Sequence, residues 1–194
     1  GRFPLLERHL DRLAASAAGF AFACERSGIA GQLAQLALRH AAGIFRVRLT
    51  LGHDGDVELT AVPLELPAEA WRTRLASERL VSSDAWLRHK TTVRARYDAE
   101  LKRLAADPAC FDTIFLNERD EVCEGARSNV FLRRAAGEAL LTPPLSCGLL
   151  PGVLRGKLLD SGEAVECVLS EGDLRSAAEL YLGNALRGLV RVSF

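Results

Sequence analysis

The sequence predicts an α+β protein of two lobes, a smaller N-terminal lobe over residues 1–82 and a larger, sheet-rich C-terminal lobe over residues 83–194. Two observations lead to this prediction. Apolar residues at helical spacing precede a β-hairpin in the first part, and most strand-like segments fall in the second part. The 194 residues, 48% of them hydrophobic, suffice for one ordinary domain or for two small ones that share an interface.

The N-terminal part predicts two helices and a hairpin. Leucines at helical spacing indicate an amphipathic helix over residues 5–18, and a second helix is predicted over residues 29–41. The alternating segments FRVRLTL and VELTAV, joined by the turn HDGD, predict a β-hairpin across residues 45–62. Residues 64–72 carry Pro and Ala, and they fit either a linker or a continuing strand.

The C-terminal part predicts strands interspersed with short helices. An apolar stripe indicates a helix over residues 92–106, which Asp107 and Pro108 end. The segments FDTIFLN, VCEGARSNVFLRR and ALLTP predict three strands of an antiparallel meander, the second interrupted in its middle. The remaining predicted elements are a helix in GVLRGKLLDSG, opened by Pro151-Gly152 and closed by Gly162, the strands AVECVLS and ELYLGNA, and a helical turn in DLRSAA between them.

The composition excludes several classes of partner. Lys plus Arg and Asp plus Glu both number 25, so the sequence predicts neither a nucleic-acid surface nor an anionic-membrane surface. The five cysteines are odd in number and form no C-x-x-C pair, which predicts small buried thiols and neither a disulfide framework nor a zinc site. The sequence has no membrane-spanning apolar run and no signal-peptide pattern, so the predicted location is the cytoplasm. It also lacks Met and starts directly on a helical pattern, which predicts a piece of a longer polypeptide.

A segment rich in glycine and proline, Cys147 to Val153, leads into the predicted helix of GVLRGKLLDSG. Free backbone N–H groups at a helix N-terminus form an anion site, and small residues let a phosphate come close. The alternative is an ordinary strand-to-helix loop with Pro near the helix start. On this feature alone the ordinary loop is favoured, because many such loops bind nothing.

Lys90, in LRHKTTVRARY, lies between an apolar stretch that includes Trp86 and the start of a predicted helix. Desolvation there, beside the positive charges of Arg88 and Arg94, lowers the pKa of a lysine amine. A lysine of that kind can form a Schiff base. The alternative is a solvated charge at a helix N-terminus, and most lysines are of that kind.

Glu124 stands at the strand interruption, and an acid there can hold the protonated ring nitrogen of an electron-sink cofactor. Ser128 and Asn129 can either cap this turn or hold the cofactor ring. Arg12, on the first predicted helix, matches phosphate oxygens bidentately. For Glu124 and Arg12 the alternatives are a surface turn acid and a surface helix charge. Taken together with Lys90, these residues indicate pyridoxal phosphate.

The segments that carry these residues form a recognisable series. In chain order, it resembles the fold-type IV pyridoxal-phosphate enzymes, which include branched-chain aminotransferase, D-amino acid aminotransferase and 4-amino-4-deoxychorismate lyase. The resemblance covers nearly the whole chain, and the pair EG-x-x-SN-x-F and TPPL-x-x-G-x-LPG-x-x-R is highly specific. The segments are HLDRL (9–13), RHKTTVR (88–94), FLNERDEVCEGARSNVF (115–131), LTPPLSCGLLPGVLR (141–155) and LGNALRGLV (182–190).

This resemblance implies roles for the candidate residues. Lys90 forms the Schiff base with pyridoxal 5'-phosphate and acts as the proton-transferring base. Glu124 pairs with the pyridine nitrogen, and Arg12 contacts the phosphate. The backbone N–H groups of Val153 and Leu154 complete the phosphate site.

Asn184 and Ala185 match a segment that lines the phosphate and substrate side. The resemblance also implies a homodimer with the site near the interface. It further implies a strand before the HLDRL helix, which this sequence does not contain.

The strings HKTTVRARYD and NALRGL look like those of the lyase, in the form fused behind aminodeoxychorismate synthase component I. They imply a small-molecule substrate, 4-amino-4-deoxychorismate, and the products 4-aminobenzoate and pyruvate on the folate route. Aminotransferases have a tyrosine nearer the lysine, and Tyr97, two turns along, is not expected to replace it. An aminotransferase acting on branched-chain or D-amino acids and a domain that keeps the fold without catalysis stay open as alternatives.

Overall fold

The computed structural model describes residues 1–40, 42–64 and 71–194. The chain divides into two compact units, Gly1–Pro67 and Ala68–Phe194. The lobe boundary predicted between residues 82 and 83 lies inside the second unit. Most of the segment that fitted either a linker or a strand, residues 65–70, lies outside the described residues.

The first unit contains the two predicted helices and the predicted hairpin. Helix α2 begins earlier than the predicted residue 29, because the Glu25 side chain caps it by accepting hydrogen bonds from the Ser27 and Gly28 N–H groups. Buried Leu10, Ile29 and Leu33 form the core with apolar residues of the hairpin. The elements are α1 (Leu6–Gly19), α2 (Arg26–Arg39), β1 (Phe45–Leu51) and β2 (Val57–Pro63), with β1 and β2 antiparallel.

The second unit contains the other eight strands and three helices. Short 3-10 turns occur at Ala85–Arg88 and Leu145–Cys147. The strands are β3 (Trp71–Leu75), β4 (Cys110–Leu116), β5 (Val122–Gly125), β6 (Asn129–Arg133), β7 (Leu140–Thr142), β8 (Ala164–Glu166), β9 (Glu179–Asn184) and β10 (Gly188–Ser193). The helices are α3 (Ala95–Leu104), α4 (Val153–Asp160) and α5 (Glu171–Ser176).

These strands form one sheet in the order β5-β4-β3-β10-β9-β6-β7-β8. An additional pairing of β5 with β6 closes the first six strands into a ring. Strand β5 therefore pairs with β4 on one side and with β6 on the other. The pairs β4–β5, β5–β6 and β6–β7 are antiparallel, which confirms the predicted meander. The predicted interruption of the second strand is also confirmed, because residues 126–128 separate β5 from β6.

Three details differ from the sequence prediction. Strand β10 was not predicted. The predicted strand over residues 164–170 is only three residues long, because it pairs with the equally short β7. Three cysteines, at 110, 123 and 147, are buried as predicted, whereas Cys24 and Cys167 are partly exposed; all five thiols are free.

Among the described residues, no helix has both the length and the apolar character to cross a membrane.

One glycine fixes the segment that precedes Lys90 against the loop that follows β7. Gly148 has a φ of 87°, and a Cβ there would lie 2.7 Å from the Cα of Ser82 and 3.1 Å from Leu87 Cδ1. The Cα of Ser82 is backbone and cannot turn away, so the approach requires glycine.

We expect Gly148→Ala to destabilise the protein by about 2–4 kcal/mol, because the left-handed backbone costs about 1–2 kcal/mol and overpacking adds about 1–3 kcal/mol. Gly137→Ala is the matched control, since Gly137 also has a positive φ, 83°, but its Cβ would meet no atom within 4 Å. Urea unfolding of both variants measures the difference. Equal losses in the two variants would contradict the close-approach argument.

Candidate active site

Glu124 is a buried carboxylate at the end of β5. Its side chain lies against α3 and the loop before α4, and the residue is 6% exposed. Oε1 accepts a hydrogen bond from Tyr97 Oη at 2.7 Å, and Oε2 accepts one from the Leu150 N–H at 3.0 Å. Burial raises the pKa of Glu124 to about 7, although both hydrogen bonds and the charge of Lys90 act to lower it. The group therefore exchanges its proton near neutral pH.

Lys90 follows the 3-10 turn Ala85–Arg88, which buries Leu87 and is capped by the Asp84 side chain through the Trp86 N–H at 2.9 Å. The charge of Lys90 lowers the pKa of Glu124, so the two groups lie within electrostatic reach. The expectation of a desolvated lysine is wrong for this structure. Leu87 is the residue that the turn directs into the core, and Lys90 itself is exposed.

The turn between β5 and β6 is built around a second buried carboxylate, Asp112 on β4. Asp112 is 0% exposed. It accepts hydrogen bonds from the Ala126 N–H at 3.1 Å, the Arg127 N–H at 3.1 Å and the Ser128 hydroxyl at 2.6 Å. Burial raises the pKa of Asp112, and these donors oppose the rise. The hydroxyl of Ser128 is therefore bonded within the turn.

Asn129 connects the same turn to the start of α4. Its side-chain N–H donates to the Leu150 carbonyl at 3.0 Å. A Cβ on Gly152 would lie 1.9 Å from the Asn129 side-chain oxygen, so a larger residue there requires the Asn129 side chain to move. The N-cap residue of α4 is Gly152, which has no side chain and therefore makes no capping hydrogen bond. The first turn of α4 thus offers backbone N–H groups, including that of Leu154, to an anion.

Asn184 joins the β9–β10 turn to the β5–β6 turn. Its side-chain oxygen accepts hydrogen bonds from the Leu186 and Arg187 N–H groups, both at 3.0 Å. Its side-chain N–H donates to the Arg127 carbonyl at 3.0 Å. Ala185, half-buried, lies within the turn that Asn184 fixes. The structure therefore brings these two residues beside the Glu124 turn.

Arg12 lies on α1 in the first unit and is half-buried. The phosphate contact expected of it remains a prediction that rests on the resemblance. The other predicted residues belong to the second unit.

Sequence reasoning missed two residues of the site. The sequence predicts Tyr97 as part of the apolar stripe of the helix over residues 92–106 and weighs it as a replacement for a tyrosine nearer the lysine, but it does not predict the contact with Glu124. Asp112 was not singled out, although a lone acid inside the apolar strand FDTIFLN was a usable signal, because a buried acid needs dedicated partners.

Comparison with known proteins defines the family. Residues 1–193 match the model of the amino-transferase class IV family, and the chain belongs to it. A Schizosaccharomyces pombe protein named "Putative aminodeoxychorismate lyase" is 29% identical over 196 residues, which cover 96% of this chain and 82% of that protein. A Thermotoga maritima protein named "Probable branched-chain-amino-acid aminotransferase" is 34% identical over 88 residues, 43% of this chain. The matched segment spans only 32% of that protein.

Solved structures have the same fold. A crystal structure named as a "Putative amino-acid aminotransferase" from Mesorhizobium loti superposes with a TM-score of 0.89 at 43% identity, over 97% of this chain and 91% of that chain. The pyridoxal-phosphate-bound form of a hypothetical aminotransferase from Mycobacterium tuberculosis has a TM-score of 0.78 at 24% identity, over 97% of this chain and 75% of that chain. These matches confirm the predicted fold-type IV architecture.

The class IV family depends on pyridoxal phosphate. The residues of this chain fit that cofactor. The uncapped start of α4 behind Gly152 suits a phosphate, and Glu124 titrates in the range needed to pair with a protonated ring nitrogen.

We expect the stability of the cofactor-free protein to fall with rising pH because of Glu124. Its folded pKa of about 7 exceeds the ordinary value of 4.5, so the folded state holds the proton more tightly. This contribution is complete below pH 4.5 and is lost as the pH rises through 7, by up to about 3 kcal/mol. Urea unfolding from pH 4.5 to 7.5 should show this slope, and Glu124→Gln should show a clearly smaller one, to which Asp112 still contributes.

Glu78→Gln, at an exposed glutamate, is the matched control and should keep the wild-type slope. An unchanged slope in Glu124→Gln would show that Glu124 does not have the raised pKa.

We expect Asp112→Asn to cost about 2–4 kcal/mol, because an amide nitrogen then faces N–H donors inside the sheet. Asp120→Asn removes an exposed pair with Arg79 and should cost under about 1 kcal/mol. Thermal unfolding compares the two variants. A loss for Asp112→Asn no larger than that for Asp120→Asn would mean that the turn does not depend on this carboxylate.

Proposed function

We propose that this chain is a pyridoxal-phosphate-dependent lyase that converts 4-amino-4-deoxychorismate into 4-aminobenzoate and pyruvate, for folate synthesis. The observation that carries the proposal is the similarity to the Schizosaccharomyces pombe protein named "Putative aminodeoxychorismate lyase", which extends over 96% of this chain and 82% of that protein. The strings HKTTVRARYD and NALRGL, which resemble those of the lyase, also support the proposal. The first contains Lys90, and the second lies at the turn beside Glu124.

Bound pyridoxal phosphate supplies an electron sink for the carbon that bears the substrate's amine. Lys90 Nζ carries the cofactor and then takes the proton from that carbon. Glu124 holds the ring nitrogen protonated, which its pKa of about 7 permits. Loss of the proton from the amine-bearing carbon and departure of the ether-linked enolpyruvate would make the substrate ring aromatic. The enolpyruvate would take up a proton to become pyruvate, so no second substrate is required.

Binding of the cofactor phosphate is assigned to the N–H groups of Val153 and Leu154 and to Arg12. Ser128 and Asn129 shape the cofactor edge, since one is bonded to Asp112 and the other to the Leu150 carbonyl. Asn184 and Ala185 are placed on the phosphate and substrate side. The family resemblance is also the basis for expecting a homodimer, which sedimentation equilibrium measures.

The second candidate is an aminotransferase of the same fold. The 43% identity to the Mesorhizobium loti protein named as an amino-acid aminotransferase favours it. The residues that hold the cofactor are the same for both reactions. The two candidates differ in the fate of the electrons, since a transaminase returns a proton to the cofactor and needs an oxo acid to complete its cycle.

The cofactor lysine can be identified directly, because the sequence contains only Lys90, Lys102 and Lys157. After loading with pyridoxal phosphate and desalting, a near-visible absorbance band should remain. Borohydride reduction should then label the peptide of Lys90. Lys90→Ala should lose the band, whereas Lys102→Arg and Lys157→Arg should keep it. A wild-type protein that retains no band would refute the enzyme proposal and favour a non-catalytic domain.

The products distinguish the lyase from the aminotransferase. The loaded protein should release pyruvate and 4-aminobenzoate from 4-amino-4-deoxychorismate without an oxo acid, and Lys90→Ala should not. Formation of glutamate from a branched-chain or D-amino acid plus 2-oxoglutarate, without pyruvate release from the first substrate, would select the aminotransferase.

A further inference from the structure

The carboxylate of Glu124 is held by two donors of different kinds. The Leu150 N–H belongs to the backbone, so no substitution other than proline removes it. The Tyr97 hydroxyl is a side-chain donor on the first turns of α3, 2.7 Å from Oε1. Its position is fixed, since the Tyr97 ring packs edge-on against buried Phe115 at 5.3 Å between centroids.

The surroundings of the Tyr97 hydroxyl keep it protonated, so it acts as a hydrogen-bond donor. Burial and the neighbouring charge of Glu124 raise the pKa of Tyr97 far above its ordinary value, so it keeps its proton. The guanidinium of Arg94 lies 5.5 Å over the Tyr97 ring, and Arg94 also donates to the Ala126 carbonyl at 2.9 Å. The start of α3 is thereby bonded to Glu124 and to Ala126 in the turn that follows it.

We propose that Tyr97 is a positioning residue of the active site, whose hydroxyl orients the Glu124 carboxylate toward the cofactor ring nitrogen and keeps it ionised. The inference rests on the cofactor role proposed for Glu124. A buried carboxylate with a single donor can rotate about its last side-chain bond and is more easily protonated. With donors on both oxygens, its plane is fixed and its ionised form is favoured.

The charged and titratable groups around Glu124 come from several elements. Lys90 acts from the segment before α3, and Asp112 acts from β4 with the opposite effect. Cys123 is adjacent on β5, where burial raises the pKa of its thiol. Tyr97 is itself neutral, so replacing its hydroxyl changes hydrogen bonding without changing the formal charge.

The test follows the titration of Glu124 in the cofactor-free protein. The infrared band of its protonated carboxyl is assigned by its absence in Glu124→Gln. In Tyr97→Phe, which keeps the ring packing, the titration midpoint should rise by about one pH unit or more. Tyr181→Phe is the matched control, because Tyr181 is the sequence's second tyrosine, is half-buried and acts on a different glutamate, Glu179. Equal midpoints in Tyr97→Phe and wild type would overturn the proposal.

A second measurement leaves Tyr97 in place, so it tests the proposal even if Tyr97→Phe does not fold. With 3-fluorotyrosine incorporated into Tyr181→Phe, the protein carries one fluorine, on residue 97. Its ¹⁹F resonance should shift with the same midpoint as Glu124 and should lose that transition in the additional variant Glu124→Gln. A resonance that does not follow Glu124 would overturn the proposal.

The loaded protein supplies a third readout. Tyr97→Phe should retain the cofactor but shift the pH dependence of its near-visible absorbance, and Tyr181→Phe should not. The first two measurements need no cofactor, so they test the role of Tyr97 separately from the proposed function. Absence of labelling at Lys90 refutes the proposed function, whereas an unshifted Glu124 titration refutes only the role of Tyr97.

Discussion

The buried carboxylate of Asp112 is the constraint on which the site depends. It lies on β4, and its three donors beyond β4 come from the turn that joins β5 to β6. That turn also closes the ring of six strands, through the pairing of Glu124 with Asn129. Ring closure and the placement of Glu124 therefore share one electrostatic anchor, and a change at Asp112 affects both.

The loop before α4 extends the same constraint to the start of that helix. Leu150 donates its N–H to Glu124 and accepts from the Asn129 side chain through its carbonyl. At one end of the loop Gly148 approaches the Ser82 backbone at a distance that requires glycine, and at the other end Gly152 lies close to the Asn129 side chain. The acid, the helix start and the segment leading to Lys90 are thus held in one packed arrangement within the second unit.

Periodic and local signals predicted most of this fold. Apolar spacing located α1 and the hairpin, and the break in VCEGARSNVFLRR located the turn at Glu124. Local pattern could not reveal contacts between distant residues, and so it missed the bonds from Asp112 to Ser128 and from Tyr97 to Glu124. It also erred on Lys90, because a nearby apolar stretch does not say which residue of a short turn faces the core.

Two carboxylates buried in one sheet cost folding free energy, and the charge of Asp112 also raises the pKa of Glu124. Hydrogen bonds from neighbouring groups offset part of this cost. A positive charge that binds beside Glu124 offsets more, because it favours the ionised form that burial disfavours. Since such a ligand binds only the folded arrangement, binding and folding are thermodynamically linked. A cofactor that binds beside Glu124 as proposed would therefore stabilise the fold through this acid.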